Sequence, residues 1–259
     1  MPTRRRLDAE LVRRGMVASR TEAQRLITVG GVTVSGRPSA RPATLVSAGE
    51  PIEMAETDRW ASRAGGKLAA ALTTFTVTAE GRAALDVGAS TGGFTDVLLA
   101  HGAASVVAVD VGYGQLVWRL RTDPRVTVHD RTNFRSVDVA ALGAPFDLVV
   151  VDVSFISVVL LAGNLARAGR RGTEYVVLVK PQFEVGRDGV GPGGIVRNPE
   201  AHRDAVAAVA AGLATEGLAP RGVMPSPVRG TKGNLEFLLH AVKGDEPMDL
   251  TALLEGIHE

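Results

Sequence analysis

The sequence predicts a doubly wound parallel α/β sheet with a second, smaller α+β domain at the N-terminal end. Three observations predict it. After residue 80, short and wholly apolar runs alternate with helical stretches, the pattern of strands buried on both faces. Several of these runs close on Gly, Asp or Lys, the residue types that face ligands at the carboxyl ends of such strands. The first 50 residues differ in character, with nine arginines against four acids, although the whole 259-residue chain carries a net charge of only +1. A basic head on a mildly acidic body points to a polyanionic partner for the head.

Composition narrows the function classes. With 45% hydrophobic and 22% charged residues the chain is an ordinary globular one. The absence of cysteine excludes disulfide scaffolds, thiol nucleophiles and Cys-ligated metals, and fits a cytoplasmic protein. The basic start Met1-Pro2-Thr3-Arg4-Arg5-Arg6 has no apolar core behind it, so no leader is expected. The longest stretch free of Asp, Glu, Lys and Arg, Val153 to Ala166, is short of the roughly 20 residues that span a bilayer. The five histidines are scattered and predict no metal site.

In the head, Leu7, Leu11 and Val12 mark one helix face, and Gly15 ends it. Ser19-Arg20-Thr21-Glu22 has capping-box spacing and opens a second helix through Ala23, Leu26 and Ile27. Gly30-Gly31 stops that helix. Val32-Thr33-Val34 reads as a strand, Ser35-Gly36 as a tight turn, and Ile52-Glu53-Met54 as a further strand. The arginines fall between the apolar positions and are expected to point outward. These residues resemble the S4 RNA-binding domain over about the first 55 positions. The resemblance implies contacts to structured RNA from Arg4, Arg6, Arg14, Arg20 and Arg25, chiefly through phosphates. The expected boundaries are 1–56 for the head, 57–66 for a linker and 67–259 for the large domain. Trp60, at the junction, reads as a packing anchor.

In the large domain Ala83 to Gly88 is a buried strand with a glycine turn, and Ala89 to Leu99 a Gly loop running into a helix. Strands follow at Ser105–Asp110, Val126–Val128, Asp147–Asp152 and Tyr175–Lys180, and an Ala-rich helix at Ala201–Thr215. Gly88, Asp110, Asp152 and Lys180 then share one crevice. Asp110, about 20 residues past the loop, can accept hydrogen bonds from both hydroxyls of a ribose. Gly88-Ala89-Ser90-Thr91-Gly92-Gly93 lacks the middle glycine of a dinucleotide loop, and no phosphate loop is present. Leu85-Asp86-Val87-Gly88 with Gly92-Gly93-Phe94 instead resembles motif I of Rossmann-like S-adenosylmethionine (SAM) methyltransferases. That resemblance implies a cofactor site of Asp86, Gly88, Ala89, Ser90, Gly92, Gly93, Phe94, Asp110 and Asp152, with Asp130 at the adenine.

Lys67, Asp152, Lys180 and Glu236 each have an ordinary surface or capping reading when taken alone. Their contexts are Ser62-Arg63-Ala64-Gly65-Gly66-Lys67, Val151-Asp152-Val153-Ser154-Phe155, Val179-Lys180-Pro181-Gln182-Phe183-Glu184 and Gly233-Asn234-Leu235-Glu236-Phe237. The order resembles the catalytic tetrad of FtsJ-like ribose 2′-O-methyltransferases. With an S4 head before it, the chain resembles the TlyA-type rRNA methyltransferases. This implies 2′-O-methylation of cytidines in 16S and 23S ribosomal RNA, in assembled 30S and 50S subunits, and a link to capreomycin sensitivity. Some members carry the name haemolysin, so a membrane-active protein is one alternative; a tRNA 2′-O-methyltransferase and a catalytically dead RNA binder are others. Lys180 is the central residue, as base or as positioner of the hydroxyl. The glycine-rich run from Gly186 to Arg197 is expected to act as a lid, with Arg187 and Arg197, together with Arg63, on RNA phosphates.

Overall fold

The computed structural model describes residues 4–17, 19–28, 31–39, 41–54, 60–186, 189–230, 232–255 and 257; within these, the side chains of Arg25 and Leu250 are left out. The chain divides into two compact units, Met1–Trp60 and Ala61–Glu259.

The first unit runs β1 (Arg5–Arg6), α1 (Leu7–Arg13), α2 (Arg20–Thr28), β2 (Val32–Val34), β3 (Arg37–Pro38), β4 (Leu45–Val46) and β5 (Ile52–Met54). Strands β3, β2 and β5 form an antiparallel sheet, and β1 pairs with β4. Leu7, Leu11, Ala23, Leu26, Ile27, Val32, Val46 and Ile52 build its core. Gly15, in the left-handed region, closes α1 as expected. Ser19 Oγ accepts the Glu22 N–H at 3.2 Å and caps α2.

Not every arginine of the head points outward. Asp8 and Glu10 are fully buried, and the arginines neutralise them. Arg6, Arg20 and Gln24 all donate to Asp8, holding its carboxyl well below the ordinary range. Arg13 and Arg14 donate to Glu10 and lower its pKa to about 2. Arg14 also donates to the carbonyls of Ser47, Ala48 and Glu50, so it clasps the unit from within. The periodicity missed this because it counts apolar positions and cannot see buried acids.

The second unit comprises α3 (Ala64–Thr74), β6 (Ala83–Val87), α4 (Gly93–Ala100), β7 (Ser105–Val109), α5 (Trp118–Arg121), β8 (Val126–His129), β9 (Phe146–Val151), α6 (Ala162–Ala168), β10 (Gly169–Val179), α7 (Pro181–Glu184), α8 (Pro199–Thr215), β11 (Leu218–Pro225), β12 (Phe237–Lys243) and α9 (Leu250–Glu255). Its seven-stranded sheet has the order β11-β12-β10-β9-β6-β7-β8. Strands β6 to β10 run parallel, and β12 enters antiparallel between β10 and β11. The doubly wound sheet is as expected; β12 continues the 233–237 run that carries Glu236, and β11 is an addition. Its apolar residues stand beside Pro220, Pro225 and Gly222, which blur a strand pattern.

The expected linker is shorter than 57–66. Residues 55–59 lie outside the described residues, while Ala61 already donates its N–H to Asp96 at 2.7 Å and α3 starts at Ala64. Trp60 is buried. The amphipathic run of α3 therefore begins earlier than its apolar core suggests.

Candidate active site

Strands β6, β7, β9 and β10 deliver Gly88, Asp110, Asp152 and Lys180 to one end of the sheet, and β12 begins there one residue after Glu236. The register pairs Val179 with Phe237, so one step further Lys180 stands opposite Glu236. Two ion pairs result, Lys67–Glu236 buried and Lys180–Asp152 nearly so. Lys180 Nζ lies 2.6 Å from Asp152 Oδ1, and it donates to Ser154 Oγ at 2.8 Å. Lys67, on the first turn of α3, lies 2.5 Å from Glu236 Oε2. Gln182 on α7 reaches the other Glu236 oxygen at 3.5 Å. All four expected tetrad residues thus meet at one sheet end, from segments as far apart in sequence as α3 and β12.

Beside Asp152 lies a cavity of about 420 Å³, within the size range of small-ligand sites. Gly88, Ser90, Asp110, Asp152 and the segment Thr132-Asn133-Phe134 contribute to its wall. Gly88 has φ +88°, and a Cβ on it would stand 2.4 Å from the Asp152 carbonyl oxygen, so only glycine lets the two strand ends meet. Asp110 takes the N–H groups of Ser90 (2.8 Å) and Gly112 (2.7 Å) and closes the Gly loop from the far side.

The other expected cofactor residues stand differently. Asp86 is fully buried beneath the loop; Thr95 donates to one of its oxygens at 2.7 Å, and the other has no partner. Burial, with Asp152 and Asp110 nearby, pushes its carboxyl up to about 7. Ala89 and Phe94 are buried and not part of the wall. Gly92 and Gly93 are spaces into which other side chains pack: a Cβ would strike Leu120 at the first and Ser62 at the second. Asp130 is also not part of the wall. Its carboxylate binds Arg121 at 2.5 Å, which holds its pKa low, and accepts the Gly114 N–H. The wall is supplied two to four residues further on, because the chain turns at Arg131, where φ is +53°.

Arg4, Arg6, Arg20, Arg63 and Arg197 are exposed; Arg14 is engaged internally as described above. The side chain of Arg25 and all of Arg187 lie outside the described residues. Part of the glycine-rich run is pinned to the site strand: Asn234 accepts the Val196 N–H and donates to the Gly194 carbonyl. Sequence reasoning passed over Phe155, 91% exposed at the cavity wall with φ +66°. It also passed over Gly230, where a Cβ would collide with Glu236. An aromatic directly after Asp152-Val153-Ser154 was the available signal for the first.

A family model described as FtsJ-like methyltransferase matches residues 60–243, and an S4 domain model matches residues 5–52. The chain belongs to the FtsJ-like methyltransferase family and carries an S4 domain ahead of the catalytic fold. More narrowly, it groups with TlyA-type proteins. It is 46% identical over 261 residues to the 16S/23S rRNA (cytidine-2′-O)-methyltransferase TlyA of Mycobacterium tuberculosis, covering 100% of this chain and 97% of the relative. Hemolysin A of Brachyspira hyodysenteriae is 37% identical, over 92% of this chain and 99% of its own. A solved structure of a candidate hemolysin from Streptococcus thermophilus matches with a TM-score of 0.77 at 38% identity, over 99% of this chain and 94% of that one. Among the described residues, no helix is long and apolar enough to cross a membrane.

Proposed function

We propose that this chain transfers a methyl group from SAM to the ribose 2′-hydroxyl of cytidines in 16S and 23S rRNA. The observation that carries the reading is the Lys180–Asp152 pair at the wall of the cavity, backed by Lys67–Glu236. The name of the M. tuberculosis relative supports this substrate. The cavity volume, the Gly88 turn, the Asp110 carboxylate and the unpartnered Asp86 oxygen fit a cationic nucleoside cofactor. Asp110 would hold the ribose hydroxyls, and Asp86 and the loop the methionine end. When bound, that cofactor supplies an electrophilic methyl on sulfur. The protein's part is to align the acceptor oxygen for in-line attack.

Lys180 is the residue for that alignment. Asp152 and Ser154 engage it and so fix its direction, leaving a further N–H of the ammonium for the 2′-oxygen. Its ion pair with Asp152 favours the role of positioner, stabilising negative charge on oxygen as the hydroxyl proton departs, over that of base. Lys67 and Glu236 orient the ribose. The exposed head arginines, Arg4 above all, and Arg63 and Arg197 bind phosphates, and assembled 30S and 50S subunits in the cytoplasm are the targets. Nothing in this scheme calls for a metal.

The test is transfer of labelled methyl from SAM to separated 30S subunits, 50S subunits and tRNA, by wild type and Lys180→Ala. A 2′-O-methylcytidine in subunit RNA is expected for wild type, and a loss of about 10²–10⁴-fold for the variant. Methylation of tRNA alone overturns the substrate, and equal activity of the variant overturns the role of Lys180.

A further inference from the structure

We propose that Glu184 is a positioning residue for the transfer reaction, acting through the turn that follows β9. The inference rests on the methyltransferase reading above. Helix α7 is only four residues long, and it starts directly after Lys180. Its last residue, Glu184, takes two donors from that turn: the Ser157 hydroxyl at 2.6 Å and the Val158 N–H at 3.0 Å. Both carboxylate oxygens are thereby used. Burial pushes the Glu184 carboxyl up, while the same two donors favour its charged form.

The bland reading of these bonds is a cap on the short helical turn at Val158–Leu161. What the same turn carries argues for more. Ser154 accepts from Lys180 Nζ at 2.8 Å. Phe155, a bulky residue in the left-handed region, stands almost wholly exposed with its ring centroid 5.3 Å from that of Phe183 on α7. Such a conformation persists only where its surroundings over-determine it. Residues 153–156 also contribute to the cavity wall, whereas Glu184 does not. Lys180–Ser154, Phe183–Phe155 and Glu184–Ser157/Val158 therefore fasten one strained turn to one short helix at three points. Of the three, only the Glu184 contacts involve no residue of the cavity wall. Loosening them lets the turn relax, which moves Ser154 off Lys180 and Phe155 off the mouth of the site.

The experiment uses the full chain with SAM and ribosomal subunits. Wild type, Glu184→Gln and Ser157→Ala are compared for kcat, for KM of both substrates, for cofactor stoichiometry by calorimetry, and for amide hydrogen exchange. Glu184→Gln is expected to lower kcat about tenfold per cofactor site with KM values within about twofold, because alignment is lost in the transition state and not in binding. Exchange is expected to rise at 154–158. Ser157→Ala, which keeps the Val158 bond, is expected to lose about threefold. A kcat per cofactor site equal to wild type in both variants overturns the positioning role and leaves Glu184 a contact of the fold alone. Unchanged exchange at 154–158 overturns the strut itself. If Glu184→Gln does not fold, Ser157→Ala decides alone. Wild type without activity on any RNA is a different outcome: it strikes the parent reading, and the positioning role falls with it.

Discussion

Asp86→Asn separates stability from the proposed cofactor binding at the buried position beneath the Gly loop. The carboxyl is fully buried, and its pKa stands at about 7 against an ordinary 3.8. The native chain therefore keeps a proton that the unfolded chain releases above pH 3.8, and stability falls as pH rises through the window from 3.8 to about 7. A shift of about three units at about 1.4 kcal/mol each makes the full loss about 4 kcal/mol. Asparagine has no charge to desolvate, so the variant escapes that loss. It also leaves an amide facing the position of the unpartnered oxygen, a fixed effect that does not vary with pH. The informative quantity is the change in the difference between variant and wild type. From pH 5 to pH 8.5 that difference is expected to grow in the variant's favour by about 3 kcal/mol. For a unit of this size that is about 6–12 °C in melting temperature without cofactor. SAM affinity is expected to move the other way above pH 7, where the wild-type carboxyl is charged, weakening about 10- to 100-fold with loss of that acceptor. Melting curves at the two pH values and calorimetric titration with SAM measure both. A stability difference that stays flat between pH 5 and pH 8.5 refutes the buried, proton-holding carboxyl.

The remaining predictions follow from contacts on the page. Gly88→Ala sets a Cβ 2.4 Å from the Asp152 carbonyl oxygen at φ +88°; a loss of about 2–4 kcal/mol is expected in thermal unfolding, with loss of cofactor binding. Arg14→Ala is expected to lower the stability of the head while leaving the salt dependence of RNA binding unchanged, because its guanidinium serves Glu10 and three carbonyls. Arg4→Ala is the contrasting case, and should reduce the slope of log K against log salt by about one without affecting folding. Asp8 and Glu10 have native pKa values below their ordinary ones, so the stability they contribute is present above about pH 4.5 and is lost as pH falls toward 2. Residue-resolved NMR across that range should show the head unfolding on acidification, and simultaneous unfolding of Asp8→Asn and wild type would contradict it.

Much of the fold was legible because parallel strands leave a strong trace. Val-rich runs such as Leu148–Val151 and Val176–Val179 are apolar on both faces and have no other stable place than the middle of a covered sheet. Asp152 and Lys180 were legible for a related reason, whereas Lys67 and Glu236 entered only through the family resemblance. An Asp or a Lys at the end of such a run is costly unless it is paired, and its position on the strand fixes where it must emerge. What stayed hidden depends on partners far away in sequence. Arg14 and Arg6 look alike as letters; only the placing of Glu10 and the carbonyls of 47–50 turns Arg14 inward. Asp130 and Thr132 lie two positions apart, and a single left-handed residue between them decides which one faces the cavity. Glycines 92 and 93 match a cofactor motif as a pattern, yet the Leu116, Leu120 and Ser62 contacts that require them come from other segments.

The distribution of buried charge argues that the carboxyl end of the sheet is kept for chemistry. At the opposite end Glu174 is paired with Arg82, and His240 Nε2 lies 3.3 Å from its other oxygen. At the carboxyl end, Lys67, Lys180, Glu236 and Asp86 are buried and Asp152 is partly so, within one cluster of strand ends. Buried ion pairs contribute little net stability, and apolar residues of the same volume often do better. Gly88 and Gly230 make the cluster still more demanding, since each gives up a side chain so that a backbone oxygen or the Glu236 carboxylate can fit. Phe155 adds a strained and exposed aromatic. Gly88, Asp152 and Phe155 line the cavity, Lys180 pairs with Asp152, Gly230 makes room for Glu236, and Asp86 lies buried next to the wall residue Val87. Losing one partner of an ion pair alone is costly, but well-packed apolar residues in place of each whole pair would serve stability as well or better. The joint presence of these features is what the proposed transfer requires: an aligned oxygen, a held lysine and a cationic cofactor.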